Sequence, residues 1–264
     1  MELSDKRQGA RGDIEHFESV IGDGEELDKG KPEAKADLSA MKRKAKETFY
    51  WDEYHRITNS IKGIADEDIS SMYPAIGRFI LESDEKDPTR LYHALFDEIE
   101  KIWNKDATFP LGGAYHHYIV PGVILSSLRN CGYAIDNKDI EEGMHRGSKL
   151  AAHSCGFTGV SGAAHSVGIV VSVVNRITPM HDERREVISA AADTLVEISR
   201  FERRCCKRSN YTALANAVKY LVSKGYALPS EKIECRFFSG NAECSGKGCP
   251  FFPTVAANVD DTRG

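Results

Sequence analysis

The sequence of 264 residues predicts a mainly α-helical protein, a bundle-like domain with an irregular cysteine-rich C-terminal loop. Two observations lead to this fold class. From Asp66 onward, apolar residues recur at three- and four-residue steps, which is typical of one face of a helix, and no convincing series of alternating strands is present. In residues 233–253 this periodicity stops, and cysteine, glycine, phenylalanine and proline dominate instead. We therefore expect helices followed by a looped cap.

The predicted helices follow one another along the chain. Their apolar stripes lie at residues 69–80, 91–103, 119–128, 136–151, 167–174, 187–198 and 209–221. Pro88 and Asp136 suit helix starts, since proline fits the first turn and aspartate caps it. Pro121 is expected in the first turn of its helix. Ser209 or the next residue is expected to cap the last helix, which stops at Gly225.

The chain divides into four segments by composition. Residues 1–45 are rich in charge and poor in large apolar groups, which predicts a flexible arm, with a helix expected over residues 40–54. Residues 46–109 form an N-terminal helical segment. Residues 110–253 hold all the cysteines and form the core domain, and residues 254–264 are a tail.

Composition and charge exclude several classes of function. The net charge of −5 lacks the basic excess of a nucleic-acid-binding protein. No apolar run approaches the length of a membrane span, and the N-terminus has no secretory signal, so we expect a cytoplasmic protein without a membrane partner. In that compartment the seven cysteines favour metal binding or thiol chemistry over disulfides. A homo-oligomer is left open.

Three cysteines near the C-terminus suggest a metal centre. Cys235, Cys244 and Cys249 lie on a glycine-rich loop, where thiolates can converge on one metal, and a proline follows the last of them, as at iron–sulfur ligands. The predicted cofactor is an iron–sulfur cluster, of the 4Fe-4S type, or zinc. The alternative is a loop of buried cysteines packed among phenylalanines.

A second cysteine pair lies among cations. Cys205 and Cys206 are flanked by arginines and lysines, and a helix begins beside them, which favours both thiolates and a bound anion. One of the two is expected to complete a four-thiolate set, while the other faces a substrate or the core. The cations predicted to bind an anionic substrate are Arg204, Lys207 and Arg208.

A run of glycines precedes an apolar helix. Gly156, Gly159 and Gly162 allow backbone N–H groups to approach a phosphate or carboxylate, so they are predicted to bind substrate. The alternative is close helix packing. Cys155 begins the run as a candidate catalytic thiol. Ser161, four residues before a histidine, is weak evidence for a nucleophile.

Two adjacent histidines are candidates for proton transfer. His116 or His117 could act as a general base or metal ligand near neutral pH, and glycines nearby permit close backbone approach. The alternative is a packing role for both rings.

In combination, four motifs resemble the family catalogued as domain of unknown function 5714. They are His116 to Gly132, Cys155 to Ala164, Arg204 to Tyr211 and Cys235 to Phe252. The resemblance covers residues 110–253 and implies a cytoplasmic protein of anaerobes, with a methyltransferase-like domain as a partner, but no established reaction. The family pattern often has a cysteine where this chain has Ser161, so this chain departs from the pattern at that position.

The residues thus predict a thiolate-metal protein that is an enzyme acting on a small anionic molecule, with sulfur-containing molecules among the candidates. The late cysteines are similar in style to those of iron–sulfur serine dehydratases and cysteine desulfidases, which indicates a lyase or sulfur-transfer reaction at an open metal position. One alternative is a structural zinc module that serves as an interaction domain. Another is a metal-free thiol enzyme that uses Cys155 or Cys205.

Overall fold

A computed structural model describes residues 71–103 and 109–254. The predicted arm, the helix over residues 40–54 and the tail after residue 254 lie outside the described residues. The helices are α1 (Tyr73–Glu82), α2 (Pro88–Ile102), α3 (Tyr115–Asn130), α4 (Asn137–Ser148), α5 (Ser154–Phe157), α6 (Gly162–Val174), α7 (Arg184–Ser199) and α8 (Cys206–Ser223). No strand occurs in these ranges, so the prediction of a mainly α-helical fold is confirmed.

Two aspartates cap the starts of helices. Asp136 does so as predicted, and Asp87 lies next to the predicted start at Pro88. Asp87 precedes Pro88 at the start of α2 and accepts hydrogen bonds from the N–H groups of Thr89 (2.7 Å) and Arg90 (3.1 Å). Asp136 caps α4 and exchanges side-chain hydrogen bonds with the residue three positions later. Each cap satisfies N–H groups that have no partner within the helix.

Three predicted helix boundaries are wrong. Pro121 lies inside α3 rather than in its first turn, because the helix begins earlier, at Tyr115. Proline has no N–H for the carbonyl four residues before it, and the Ser166 hydroxyl donates to that His117 carbonyl instead (3.3 Å). Helix α6 likewise begins early, at Gly162 rather than within the apolar run.

The third boundary is the start of α8. The helix begins at Cys206, and the Cys205 sulfur caps it by accepting the N–H of Arg208 at 3.4 Å. Neither Ser209 nor Asn210 caps it, because both lie within the first turn or just after it. The end is close to the prediction: α8 stops at Ser223, and Gly225 follows with a positive φ of 91°.

Helix α3 forms the centre of the molecule and packs against α1, α2, α4, α6 and α8. The core is one cluster that includes Ile80 of α1 and Leu95 of α2 as well as later residues, so the described part of the N-terminal helical segment shares the core. Helices α3 and α4 approach closely at Gly147, where a Cβ atom would lie 2.0 Å from the His117 carbonyl oxygen.

After α8 the described chain contains one short 3-10 helix, Gly246–Gly248, and otherwise turns and irregular backbone. This segment is held to the helices by Asp87, whose second oxygen accepts the Glu231 N–H at 2.9 Å. Within residues 71–103 and 109–254, none of the helices combines the length and apolar character needed to span a membrane.

Candidate functional site

Four cysteines from two distant segments line one small cavity. Cys205, at the start of α8, faces Cys235, Cys244 and Cys249 of the C-terminal loop across a space of about 10 Å³. We call these four residues the cysteine cluster. Aromatic rings enclose it, namely those of Tyr211, Phe238, Phe251 and Phe252. The fold therefore brings together the three loop cysteines and one member of the adjacent pair.

Each sulfur of the cluster accepts a backbone hydrogen bond. The N–H of Phe237 donates to Cys235 at 3.4 Å, and the N–H of Gly246 donates to Cys244 at 3.4 Å, in both cases from two residues later. Phe251, again two residues later, donates to Cys249. Cys205 accepts from Arg208 (3.4 Å), as described, and from the Asn241 amide (3.3 Å). This repeated arrangement aims dipoles at all four sulfurs.

The thiols of the cysteine cluster are partly buried. Burial raises the pKa of the Cys235 thiol to about 11 and also raises the pKa of Cys249, although backbone N–H groups favour both thiolates. As the side chains stand in the described ranges, no group of three or more His, Cys, Asp or Glu is arranged so that it could hold a metal ion. The four sulfurs share a cavity without meeting at one point.

A larger cavity of about 360 Å³ adjoins the cluster. We call it the main cavity. Its walls come from the starts of α3, α6 and α8, from the segment around α5, and from the end of α7 with the loop after it. Leu195, Ile198 and Phe201 supply an apolar wall. The N-terminal ends of α3, α6 and α8 carry partial positive charge, which favours an anion in the space between them.

Three cysteines line the main cavity: Cys205 of the cysteine cluster, Cys206 and Cys155. Cys206 lies in the first turn of α8, and its sulfur sits over Gly112, where a Cβ atom would approach it to 3.3 Å. Burial raises the pKa of Cys206, while the nearby Arg204 and the Gly113 N–H favour its thiolate. Cys155 is exposed and lies on α5. The adjacent pair thus differs in placement: Cys205 borders both the cysteine cluster and the main cavity, whereas Cys206 lines the main cavity alone.

Both predicted histidines line the main cavity with defined tautomers. The Nε2 atom of His116 lies 3.0 Å from the Leu111 carbonyl, and the Nδ1 atom of His117 lies 3.3 Å from the Leu150 carbonyl. A carbonyl only accepts, so these nitrogens carry the hydrogens and the other two present lone pairs. Within the described residues, the buried Nδ1 of His116 has no hydrogen-bond partner. Burial lowers the pKa of both rings, which favours neutral bases.

The predicted cations separate into two groups. Arg204 and Arg208 line the main cavity, Arg204 pairing with Glu243 at 2.8 Å and Arg208 donating to Ser245 at 3.0 Å. Lys207 is not among the residues that line it. Its ammonium nitrogen is buried 3.1 Å from the centre of the Phe96 ring and has no hydrogen-bond partner in the part of the chain that the structure describes. This placement makes Lys207 part of the core rather than a contact for substrate.

The glycine run reaches the main cavity as predicted. Gly156, Gly159 and Gly162 all line it, and Gly162 touches the His117 ring so closely that a Cβ atom would lie 2.1 Å from its Nε2 atom. Ser161 also lines the cavity as the residue before α6.

Sequence reasoning missed several contributors to the site. The apolar wall from the end of α7 carries no chemical signal in the sequence. Asn241, between two cluster cysteines, stands in a motif where a search for amide donors could have found it.

Fold and site together define a helical protein in which a cysteine cluster adjoins a cavity suited to an anion. The chain belongs to the family of unknown function DUF5714, whose model matches residues 76–252. The match includes α2 and most of α1, so the expectation that the resemblance begins at residue 110 is wrong. No curated protein and no solved structure matches the chain.

Proposed function

We propose that the protein is a thiolate-metal protein whose metal centre supports an adjoining site for a small anionic substrate. The ligands are the four sulfurs of the cysteine cluster. The observation that carries this proposal is that thiols from α8 and from the C-terminal loop line one cavity of about 10 Å³. A bound metal would be held by these four sulfurs as thiolates, so its binding would release their protons.

The hydrogen bonds around the sulfurs support metal binding. A thiolate bound to a metal still carries negative charge, and N–H donors aimed at it stabilise that charge. In the cluster, donors reach Cys205, Cys235, Cys244 and Cys249 alike. Buried thiols that only fill space do not need such donors, since neutral sulfur is a weak acceptor.

The cavity size favours a single ion. A space of about 10 Å³ has room for about one water-sized sphere, which suits one tetrahedral zinc or iron ion better than a 4Fe-4S cluster. With four thiolates the coordination sphere is closed. The proposal therefore places substrate chemistry in the main cavity, and it favours thiol or sulfur-transfer chemistry there over a lyase reaction at the metal.

The main cavity supports the second part of the proposal. Three helix N-termini and the guanidinium groups of Arg204 and Arg208 favour a small anion. The lone pair of His116 Nδ1 is buried at its wall and lacks a donor, so it is placed to accept a proton from a bound molecule. The rings of His117 and His153 also line the cavity and supply further imidazole nitrogens.

The test is metal analysis of protein purified without oxygen, together with a visible absorption spectrum. We expect about one zinc or iron ion per chain. Cys235→Ser and Cys244→Ser should remove most of it, while Cys206→Ser and Cys131→Ser, outside the cluster, should retain it. Absence of metal from the wild type, with no rise in melting temperature on adding Zn²⁺ or Fe²⁺, would overturn the proposal. Iron found together with stoichiometric sulfide would show that the four sulfurs hold an iron–sulfur cluster and not a single ion.

A further inference from the structure

We propose that Cys155 and Cys206 form a dithiol site in the main cavity that reduces small anionic disulfides. The two thiols come from separate helices, α5 and α8, yet they line the same space. The inference deepens the proposed function and rests on its anion-binding cavity, but it does not depend on the metal. Neither the cysteine cluster nor the core uses these two sulfurs.

The surroundings of Cys206 suit a second, resolving thiol. Its sulfur is half-buried above Gly112 and accepts the Gly113 N–H, so its position is fixed by the start of α3. One nitrogen of Arg204 would lie 3.6 Å from a Cβ atom at Gly112, which places the guanidinium next to the same sulfur. A carboxylate of a substrate can reach this cation and the helix N-termini beside it.

The surroundings of Cys155 suit the attacking thiol. It is exposed, and it also interacts electrostatically with Arg204 and Cys206, which places all three groups around one part of the cavity. No residue from 148 to 160 is buried, so little packing opposes movement of this segment. Such movement can bring the two sulfurs to bonding distance, which requires Cα atoms within about 7 Å.

The reaction proceeds in two exchanges. The Cys155 thiolate attacks a disulfide RSSR, forming a mixed disulfide and releasing one RS⁻. The Cys206 thiolate then attacks the Cys155 sulfur, forming the Cys155–Cys206 disulfide and releasing the second RS⁻. Two electrons pass from the protein to the substrate, and the two thiol protons go to solvent or to the released thiolates. Excess small thiol reverses both steps and restores the dithiol.

The test uses the full chain with its native metal content, reduced and freed of reductant. The probe is 5,5′-dithiobis(2-nitrobenzoate), an anionic disulfide whose released thiolate is coloured. We expect a fast release of about two equivalents, with no adduct left and a Cys155–Cys206 disulfide in the peptide map. Cys206→Ser should release one equivalent and keep the adduct on Cys155. Cys155→Ser should lose the fast phase, and Cys131→Ser should behave like the wild type.

A second comparison tests the preference for an anion. Arg204→Ala should slow the anionic probe about tenfold and leave uncharged 2,2′-dithiodipyridine nearly unaffected. Arg185→Ala, an exposed arginine outside the cavity, is the matched control. A wild-type adduct that persists on Cys155, or a disulfide that forms only within the cysteine cluster, would overturn the dithiol site.

Metal analysis of the same samples separates the two proposals. Wild-type metal content in Cys155→Ser and Cys206→Ser is expected, and loss of metal in Cys206→Ser would overturn the assignment of Cys206 to the cavity. If the disulfide closes in protein that binds no metal, the metal proposal alone fails. If the metal is present and the fast phase is not, the dithiol proposal alone fails.

Discussion

Gly147→Ala should destabilise the protein through a clash between two backbones. A Cβ atom at this position would lie 2.0 Å from the His117 carbonyl oxygen and 3.1 Å from the Tyr118 Cα atom, whereas ordinary contact begins at 3.4 Å. Helices α3 and α4 would have to separate by about 1 Å or more, because neither backbone can rotate away. The buried side chains between them, such as Met144, would lose contact.

The magnitude follows from two opposing effects. Alanine favours a helix interior over glycine by about 1 kcal/mol, whereas overpacking costs about 1–3 kcal/mol or more, and the separated helices lose further packing. We expect a net loss of about 2–4 kcal/mol, which lowers the melting temperature by roughly 5–15 °C in a domain of this size.

Thermal unfolding followed by circular dichroism or calorimetry measures this effect. The matched control is Gly156→Ala, because a Cβ atom there meets nothing within 4 Å and the residue is exposed. Its melting temperature should stay equal to that of the wild type or rise slightly. If Gly147→Ala unfolds within about 2 °C of the wild type, the close approach of α3 and α4 is wrong.

Two further predictions concern histidines. Gly162→Ala should displace the His117 ring and destabilise the protein by about 1–3 kcal/mol; an unchanged melting temperature and an unchanged His117 ring signal in NMR spectra would contradict this contact. Burial of the ring, and to a smaller extent the nearby charge of Arg236, lowers the pKa of His93 from 6.5 to about 4. Below pH 6.5 the unfolded chain therefore binds a proton that the folded protein does not. Stability should therefore fall between about pH 6.5 and pH 4, and His93→Gln should lessen the fall by about 1 kcal/mol, a modest value because the ring is partly exposed. If the free energy of unfolding in urea depends on pH equally in the wild type and in His93→Gln, this prediction is wrong.

Local patterns predicted much of the fold. Asp136 caps α4 because its side chain bonds to a nearby N–H, which is a property of adjacent residues. The start of α8 was mispredicted because three-dimensional context decides it: Cys205 acts as the cap while it also faces the C-terminal loop. Pro121 could not be placed because the Ser166 hydroxyl that compensates for its missing N–H comes from a distant helix.

The sequence predicted which types of residue form the candidate site, but not which of those residues lie together. Thiols, glycines and cations in dense motifs pointed to the residues that now line the two cavities. Sequence reasoning could not decide between Cys205 and Cys206, since helix orientation alone separates their side chains. It also assigned Lys207 to substrate, because the charge pattern gave no sign that Phe96 and Phe237 surround this side chain.

The divergence of Cys205 and Cys206 has a thermodynamic consequence. One peptide bond joins a residue of the cysteine cluster to a residue of the main cavity, so a displacement at one site is transmitted to the other without an intervening network. If the cysteine cluster holds the proposed metal, any coupling between the two sites is reciprocal: a ligand that binds better when metal is present raises metal affinity by the same factor.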